Sequence, residues 1–319
     1  MGIATLAQAL TELGATVQTF GLGRTARVYT AQRLIFNELV RRKNLAGFNA
    51  AIGFDMDGYR LRYPHIASIK GVIADELQYE SGLTRVTLAV QAACEGRNVH
   101  RARRVITTSR YAAERIQKLY KLPELPRIVP ELIHLAKWRA LFEANATQRN
   151  DSRFIVLCVA RFYRRKRIEV LLEAARKLEP DIPNLEIRIV GDGPEAARLK
   201  RLGPPCVQWL GTVPKNQLAA EYGACDAFCL PSVQEGFGIV FLEAMAAGKP
   251  IVGVRAAAVP EVVPHALLVK PNDPDSLAEA IYTLWKDAEL RAAIGQGGLE
   301  RVEEYDAPGI ARQFLAALV

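Results

Sequence analysis

The chain has 319 residues, half of them hydrophobic, which is enough to form the cores of two domains. Its formal net charge is +8, and no run approaches the roughly 20 apolar residues that a membrane-spanning helix needs. The five cysteines lack Cys-x-x-Cys spacing and the four histidines are scattered, so we expect reduced thiols of a cytosolic protein, without disulfides or a metal site.

Positive charge is concentrated in the first half of the chain. Residues 1–150 carry 22 lysines and arginines against 12 acidic residues, whereas residues 151–319 carry 20 against 22. A basic half of this kind attracts anionic membrane surfaces, such as the inner membrane face, or phosphorylated acceptors. A solvated basic face without a partner is the alternative. No nucleic-acid-binding motif is present, so we expect no nucleic-acid partner.

The first half begins with a predicted helix, because apolar residues recur at helical spacing from Ile3 to Leu13 and Gly14 follows as a stop. Ser109 is expected to cap a later helix rather than to act in catalysis. The predicted strands of this half are Thr16–Phe20, Ala50–Phe54, Ile66–Ile69, Val105–Thr108 and Arg127–Pro130.

The second half alternates strands and helices after a polar stretch, Glu143–Ser152. We therefore predict domains over residues 1–148 and 149–304, with a final helix over residues 305–319. The predicted strands are Phe154–Val159, Leu185–Val190, Val207–Leu210, Ala227–Leu230 and Ile251–Val254, separated by helical segments such as Ile168–Leu178, Glu195–Leu202 and Ile239–Ala247. This alternation predicts an α/β domain with a doubly wound parallel sheet, whose ligands bind at the carboxyl ends of the strands.

One segment, Pro231–Pro250, carries the most specific pattern. A strand ends at Pro231, a turn with Gly236 and Gly238 follows, and a helix then begins. The flexible glycines and the first helical amides, over residues 236–239, suit an anion such as a phosphate. The members of this turn are Gly236, Phe237, Gly238 and Ile239.

Two carboxylates accompany that anion site. Glu235 precedes the turn, and Glu243 follows after seven intervening residues, about a turn and a half inside the helix. Carboxylates near an anion site suit hydrogen bonds to sugar or ribose hydroxyl groups. An ordinary turn with two solvated glutamates is the alternative that the spacing alone leaves open.

Other polar or glycine residues also lie just beyond strand ends. Arg161 and Lys166 follow a buried strand, where fixed cations would stabilise the negative charge that develops on a departing diphosphate. Gly191 and Asp192 belong to a Gly-Asp-Gly-Pro turn, which lacks the third glycine of a dinucleotide fingerprint. Ser232 follows a further strand end. These side chains could share one site.

The Pro231–Pro250 segment resembles the Glu-x7-Glu signature of retaining family 4 glycosyltransferases, which have two Rossmann-like domains facing across a cleft, the GT-B fold. Residues 153–285 follow the donor-binding half of that family. The resemblance implies that the diphosphate lies on residues 236–239, neutralised by Arg161 and Lys166. It further implies that Glu243 holds the ribose, that Glu235 holds the sugar or stabilises positive charge at its anomeric carbon, and that the backbone around Val213 reads the base.

The sequence departs from the family pattern at several positions. Ala160 and Arg167 replace the glycines that flank the basic turn, and Ala257 with the following alanine replaces a Gly-Gly pair. Lys70 stands where many members have a histidine near the reacting sugar, which makes it a candidate acceptor-side residue. Gly2 matches the second glycine of the family's first turn, so we expect a reduced first domain that lacks its first strand.

These observations predict retaining glycosyl transfer from a UDP- or GDP-sugar, without metal or other cofactor. The alternatives are a nucleotide-sugar-binding protein with weak or no transferase activity, a sugar-nucleotide epimerase and, least supported, an NAD enzyme. We expect strand Thr16–Phe20 to pair directly with strand Ile66–Ile69 or its neighbour, which would close the place of the missing strand. The sugar, the acceptor and the oligomeric state stay open.

Overall fold

The computed structural model describes residues 2–23, 29–146 and 152–318. Its contacts divide the chain into two units, which we call unit 1 (Met1–Glu131 with Ala307–Val319) and unit 2 (Leu132–Asp306). The predicted boundary between residues 148 and 149 lies outside the described residues and stays a prediction.

Unit 1 is a parallel α/β unit. Its four-stranded sheet has the order β1-β2-β3-β4, and every pair of neighbours is parallel. The strands are β1 (Ile52–Phe54), β2 (Ile66–Ile69), β3 (Arg104–Thr107) and β4 (Arg127–Ile128). The helices are α1 (Gly2–Glu12), α2 (Tyr29–Val40), α3 (Ile73–Glu76), α4 (Gly82–Arg101), α5 (Arg110–Tyr120) and, from the end of the chain, α14 (Ala307–Leu318).

Apolar side chains from the sheet and from α4 and α5 form the core of unit 1. Ala67, Ile69, Val99, Ala112 and Ile116 are all nearly or fully buried in one cluster. As predicted, Ser109 caps α5, since its hydroxyl accepts a hydrogen bond of 3.0 Å from the amide of Ala112. Helix α14 packs against α1 in the same unit.

The predicted strand Thr16–Phe20 is wrong, and so is its direct pairing with Ile66–Ile69. Residues 15–23 have no regular secondary structure, and Phe20 is exposed. The place beside β2 is taken by β1, with Ile52 opposite Ile66. Strand propensity alone does not make a strand, because its backbone groups need a neighbouring strand to hydrogen-bond. Among the described residues, Thr16–Phe20 pairs with no strand.

Unit 2 contains a six-stranded parallel sheet of order β10-β9-β8-β5-β6-β7. The strands are β5 (Phe154–Val159), β6 (Leu185–Val190), β7 (Val207–Gly211), β8 (Ala227–Leu230), β9 (Ile251–Val254) and β10 (Leu267–Val269). The helices are α6 (Leu135–Ala144), α7 (Ile168–Leu178), α8 (Ala196–Leu202), α9 (Lys215–Ala224), α10 (Ile239–Ala246), α11 (Val259–Val262), α12 (Pro274–Lys286) and α13 (Ala288–Val302).

The chain builds this sheet outward in two directions from its middle. It passes from β5 to β6 and β7 on one side, and then returns to place β8, β9 and β10 on the other. The apolar strands β8 and β9 are buried at every residue, because helices cover both faces of such a sheet. The direction changes between β5 and β8, and ligands of open α/β sheets bind at that point. Both units confirm the predicted parallel α/β class.

Candidate active site

Two loops meet at the carboxyl ends of β5 and β8. The backbone carbonyl of Arg165, in the loop after β5, accepts a hydrogen bond of 3.0 Å from the amide of Val233, in the loop after β8. It also accepts one of 3.3 Å from the hydroxyl of Ser232, which additionally donates to Gln234 O at 3.0 Å. Ser232 is fully buried, so its hydroxyl holds the two loops together.

The two glycines after β6 are required by contact with the loop after β5. A Cβ atom on Gly191 would lie 1.8 Å from the carbonyl oxygen of Ala160, and one on Gly193 would lie 2.6 Å from the amide nitrogen of Phe162. Gly191 also has a φ of +131°, which side-chain-bearing residues rarely adopt. The Asp192 side chain is exposed and accepts a hydrogen bond of 2.8 Å from the Gly193 amide. These glycines therefore keep the loops after β5 and β6 in contact.

The predicted catalytic residues Lys166 and Glu235 form an ion pair in the structure. Lys166 Nζ lies 2.5 Å from Glu235 Oε1, and the two side chains are only 13% and 9% exposed. Arg161, in contrast, is exposed, and with the described residues it makes no ion pair or side-chain hydrogen bond; its guanidinium lies 5.9 Å from the centre of the Tyr163 ring. One predicted cation is thus paired and the other is available.

The turn before α10 has the geometry that the glycines predict. Gly238 has a φ of +93°, and a Cβ on it would lie 2.6 Å from the Phe241 ring. Phe237 is buried, and its ring packs edge-on against that of Tyr305 with centroids 5.4 Å apart. The amides of Ile239 and Val240 open α10, and the amide of Phe241 already donates a hydrogen bond of 2.9 Å to the carbonyl of Gly238. Amides at the first turn of a helix can bind an anion.

Glu243 is buried one and a half turns into α10, where only 3% of the residue is exposed. The hydroxyl of the fully buried Tyr222 donates a hydrogen bond of 3.0 Å to Glu243 Oε2. Burial raises the pKa of Glu243 to about 7, although the Tyr222 hydroxyl and the charge of Lys215 act in the opposite direction. The sequence did not reveal the Tyr222 contact, because it depends on how α9 packs beside α10.

Two residues that replace family glycines adopt glycine-like backbone conformations. Arg167 has a φ of +49° and Ala257 has a φ of +51°, both in the left-handed region. Ala160 and Ala258, the other two such residues, are not in that region. The amide of Ala258 donates to the carbonyl of Glu235 at 3.3 Å, so the strained Ala257 lies next to a residue that supports the site. Val213 follows β7 and is partly buried, whereas Lys215 and Asn216, at the start of α9, are exposed.

In unit 1, Lys70 also lies at a strand end, but its side chain is engaged. Its Nζ lies 3.0 Å from Glu131 Oε1, and its backbone amide donates a hydrogen bond of 2.8 Å to Asp55 Oδ1. Burial raises the pKa of Asp55. Sequence reasoning missed Asp55 and Glu131, although each directly follows a predicted strand run, the same signal that identified Arg161.

The sequence also predicts reduced thiols, with neither disulfide bonds nor a metal site. All five cysteines are free thiols, and Cys158, Cys225 and Cys229 are buried. Among the described residues, no group of three His, Cys, Asp or Glu side chains is arranged to hold a metal ion. No helix in the described ranges has both the length and the apolar character to cross a membrane.

Comparison with known proteins gives a family match and several relatives. Residues 141–301 match the family described as glycosyl transferases group 1. The chain is 34% identical over 147 residues to the sulfoquinovosyl transferase SQD2 of Arabidopsis thaliana, covering 44% of this chain and 29% of that protein. It is 31% identical over 175 residues to a GDP-mannose-dependent phosphatidylinositol monomannoside mannosyltransferase of Mycobacterium tuberculosis, covering 50% and 46%. The chain thus spans less than half the length of these two relatives.

The fold has relatives among solved structures. The sucrose-phosphate synthase from Thermosynechococcus elongatus superimposes with a TM-score of 0.79 at 22% identity, over 98% of this chain and 91% of that one. At this identity the likeness shows the fold and leaves the reaction to be argued from the site.

Proposed function

Because 161 of its 319 residues match the glycosyl transferases group 1, this chain belongs to that family, and we propose that it transfers a glycosyl group from a nucleotide-diphosphate sugar to an acceptor. The observation that carries this proposal is the Lys166–Glu235 pair beside the glycine turn of α10, at the point where the sheet changes direction. A cation, a carboxylate and the N-terminal amides of α10 occur there together, as glycosyl transfer from a diphosphate requires.

The diphosphate would bind the amides of residues 236–239, at the positive end of α10. Arg161 would neutralise it from the loop after β5, since its guanidinium is exposed and unpaired among the described residues. The backbone around Val213 would read the base, and Gly191 and Asp192 would line the same pocket. Uridine and guanosine are both candidates, and the mycobacterial relative is named as dependent on GDP-mannose.

Lys166 and Glu235 would exchange partners when the donor binds. In the structure, each neutralises the other at 2.5 Å in a largely buried position. A diphosphate offers Lys166 a second, doubly anionic partner, which leaves Glu235 free to accept hydrogen bonds from the sugar or to stabilise positive charge at the anomeric carbon. Glu235 is therefore the residue that we assign to catalysis, with Arg161 and Lys166 stabilising the leaving group.

Glu243 would accept hydrogen bonds from the ribose hydroxyls. Its buried carboxyl has a pKa of about 7, so near neutrality it needs few additional contacts to ionise. Two hydroxyl donors would favour the carboxylate, since hydrogen bonds to the charged form lower a pKa. Donor affinity is then coupled to loss of a proton from Glu243.

We propose the retaining reaction course. The bond between the anomeric carbon and the diphosphate oxygen breaks with its electron pair going to the phosphate. The acceptor hydroxyl oxygen forms the new bond on the same face, and its proton passes to the departing phosphate. Glu235 stabilises the positive charge on the sugar, and the cations Arg161 and Lys166 stabilise the negative charge on the phosphate. This course requires neither metal nor cofactor, because the protein's own cations perform the neutralisation.

A nucleotide-sugar-binding protein with weak or no transfer is the second candidate. Lys70, the candidate acceptor-side residue, is held by Glu131, and among the described residues β1 has a strand neighbour on one side only. Both features belong to unit 1, the half in which the resemblance places the acceptor. Donor binding would survive in such a protein while transfer is lost.

Donor hydrolysis followed by mass spectrometry tests the proposal. UDP- and GDP-sugars are incubated with the chain, with and without EDTA, and release of free sugar is measured. We expect turnover that EDTA leaves unchanged, and a loss of roughly a hundredfold in Glu235→Gln, the size typical for one electrostatic group. Glu173→Gln, an exposed change on α7, is the control.

Equal turnover in Glu235→Gln and Glu173→Gln would contradict the catalytic role of Glu235. Donor binding without turnover in the unsubstituted chain would favour the binding protein instead.

We further propose that the first half of the chain approaches anionic membrane surfaces, in keeping with the excess of ten positive charges in residues 1–150 (22 against 12). Exposed charges are screened over about 8–10 Å at physiological salt. Binding to anionic vesicles that fades as salt rises is the expected signature, and it is compatible with a cytosolic protein that binds the inner membrane face.

A further inference from the structure

Unit 1 contains a second concentration of positive charge, far along the chain from the candidate active site of unit 2. A cavity of about 260 Å³ is lined by five arginines and one tyrosine: Arg41, Tyr59, Arg60, Arg62, Arg97 and Arg101. We call it the arginine cavity. Its size is several times the roughly 30 Å³ that one water molecule occupies in the liquid, so it can hold a group larger than water.

Helix packing brings these arginines together. Gln91, in the middle of α4, donates a hydrogen bond of 2.8 Å to the hydroxyl of Thr30, near the start of α2. From that point α2 and the second half of α4 run side by side. Arg41 directly follows the end of α2, and Arg97 and Arg101 lie in the last two turns of α4. The loop before β2 completes the cavity, where Arg101 donates 2.8 Å to the carbonyl of Leu61.

The position distinguishes the cavity from a site at the carboxyl ends of the strands. The loop that carries Arg60 and Arg62 leads into the beginning of β2, at Ile66. Arg41, Arg97 and Arg101 lie at the carboxyl-terminal ends of α2 and α4. Such helix ends have a partial negative charge, which favours nearby cations. That effect explains one or two arginines at a helix end, but it does not explain five around one cavity.

Carboxylates neutralise little of this charge. The Glu38 carboxylate oxygens lie 2.5 Å from the guanidinium of Arg41 and 3.1 Å from that of Arg60. Among the described residues, Arg62 and Arg97 have neither a carboxylate partner nor a side-chain hydrogen bond, and both side chains are exposed. Five guanidiniums against one carboxylate leave an excess of four positive charges around the cavity.

We propose that the arginine cavity binds a phosphate-bearing ligand, independently of the donor site. Guanidinium groups present paired N–H donors that match two phosphate oxygens, and several together select a polyanion over a single carboxylate. The ligand is either a free phosphate compound or a phospholipid headgroup. Exposed apolar side chains near Arg41 in the chain, Leu39 (46% exposed) and Phe48 (39%), are compatible with the lipid source.

The test compares two double variants that lose the same charge. Arg62→Gln with Arg97→Gln removes two guanidiniums of the cavity that have no partner among the described residues. Arg85→Gln with Lys118→Gln removes two exposed cations of the same unit outside it. Both are made in an Arg161→Ala background, so that the probe's binding at the donor site is weakened. Inorganic pyrophosphate is titrated calorimetrically, and vesicles of phosphatidylglycerol or phosphatidylcholine are tested by co-sedimentation.

We expect the cavity variant to bind its ligand at least tenfold more weakly than the control variant. A loss confined to pyrophosphate assigns a soluble ligand, and a loss confined to phosphatidylglycerol vesicles assigns a headgroup. A loss with both probes assigns the phosphate group that they share. Arg62→Lys with Arg97→Lys keeps the charge but not the paired donors, and should fall between. Equal behaviour of the cavity and control variants with both probes overturns the proposal.

Discussion

At the scale of single residues, the pairing of Lys166 with Glu235 shows how the site can keep two opposite charges in a largely buried place. Removing either partner would leave the other charge buried and uncompensated, which costs several kcal/mol. Glu235→Gln also removes the charge, but it keeps the shape and a hydrogen-bond acceptor for Lys166, so it disturbs folding less than an alanine would and separates chemistry from folding better.

Glu243 makes stability depend on pH. Its pKa rises from 4.5 to about 7 on folding because the carboxyl is buried. A raised pKa of this kind contributes stability that is fully present below pH 4.5 and is lost as pH rises through about 7. The loss is on the order of 3–4 kcal/mol at most, because a tenfold change in an acid dissociation constant corresponds to about 1.4 kcal/mol.

Glu243→Gln should remove this dependence, since an amide cannot ionise and still accepts the Tyr222 hydrogen bond. Urea unfolding of the variant between pH 5 and 8 should show a stability relative to the unsubstituted chain that improves as pH rises. Glu173→Gln should show no such trend. A Glu243→Gln difference that stays constant over this range would mean that burial does not disfavour the charged carboxylate.

The sequence predicted which residues lie at strand ends, but not all of their contacts. Lys166 and Glu235 were expected in one site, because β5 and β8 end at the same edge of a parallel sheet. The Tyr222 hydrogen bond to Glu243 joins residues on two helices, and periodicity says nothing about which faces meet. Asp55 and Glu131 were missed because no recognised motif surrounds them.

At the scale of elements, the buried central strands of unit 2 were predicted well, whereas Thr16–Phe20 and β10 were not. The predicted bounds of Phe154–Val159, Leu185–Val190 and Ala227–Leu230 agree with β5, β6 and β8, since burial on both faces demands continuous apolar sequence. Strand Thr16–Phe20 failed because its alternation satisfies a local preference while no neighbouring strand among the described residues pairs with it. The short β10, Leu267–Val269, was not predicted.

The turn after β9 offers a stability prediction at this scale. Ala257 has a φ of +51°, which costs an L-residue about 1–2 kcal/mol, whereas glycine loses about 0.5–1 kcal/mol more in chain entropy. Ala257→Gly should therefore stabilise unit 2 by up to about 1 kcal/mol. The neighbouring Ala256, which has no positive φ, supplies the control.

Ala256→Gly should destabilise the protein by about 0.5–1 kcal/mol, because it adds chain entropy without relieving strain. Urea denaturation of both variants measures the difference. Equal losses of stability in the two would show that the left-handed conformation of Ala257 carries no strain.

At the scale of the whole molecule, the two units have different sequence signals. Unit 2 contains the matched family segment and the strand-end residues that the motifs predict. Unit 1 has most of the basic excess and contains the arginine cavity. No sequence motif predicted the cavity. The fold class could be predicted for both units from alternating elements, whereas the details of unit 1 depend on packing between helices that the sequence does not encode locally.

The central claim, that unit 2 binds a nucleoside diphosphate, is tested most directly by calorimetric titration of the chain with UDP and with GDP. We predict that at least one binds, and that Arg161→Ala weakens it tenfold to a hundredfold, since a charged hydrogen bond contributes about 1.5–3 kcal/mol. Arg164→Ala, in the same loop but paired with Glu195 at 3.4 Å, should stay within about twofold. Binding of neither nucleotide, or an affinity that Arg161→Ala leaves unchanged, would contradict the account.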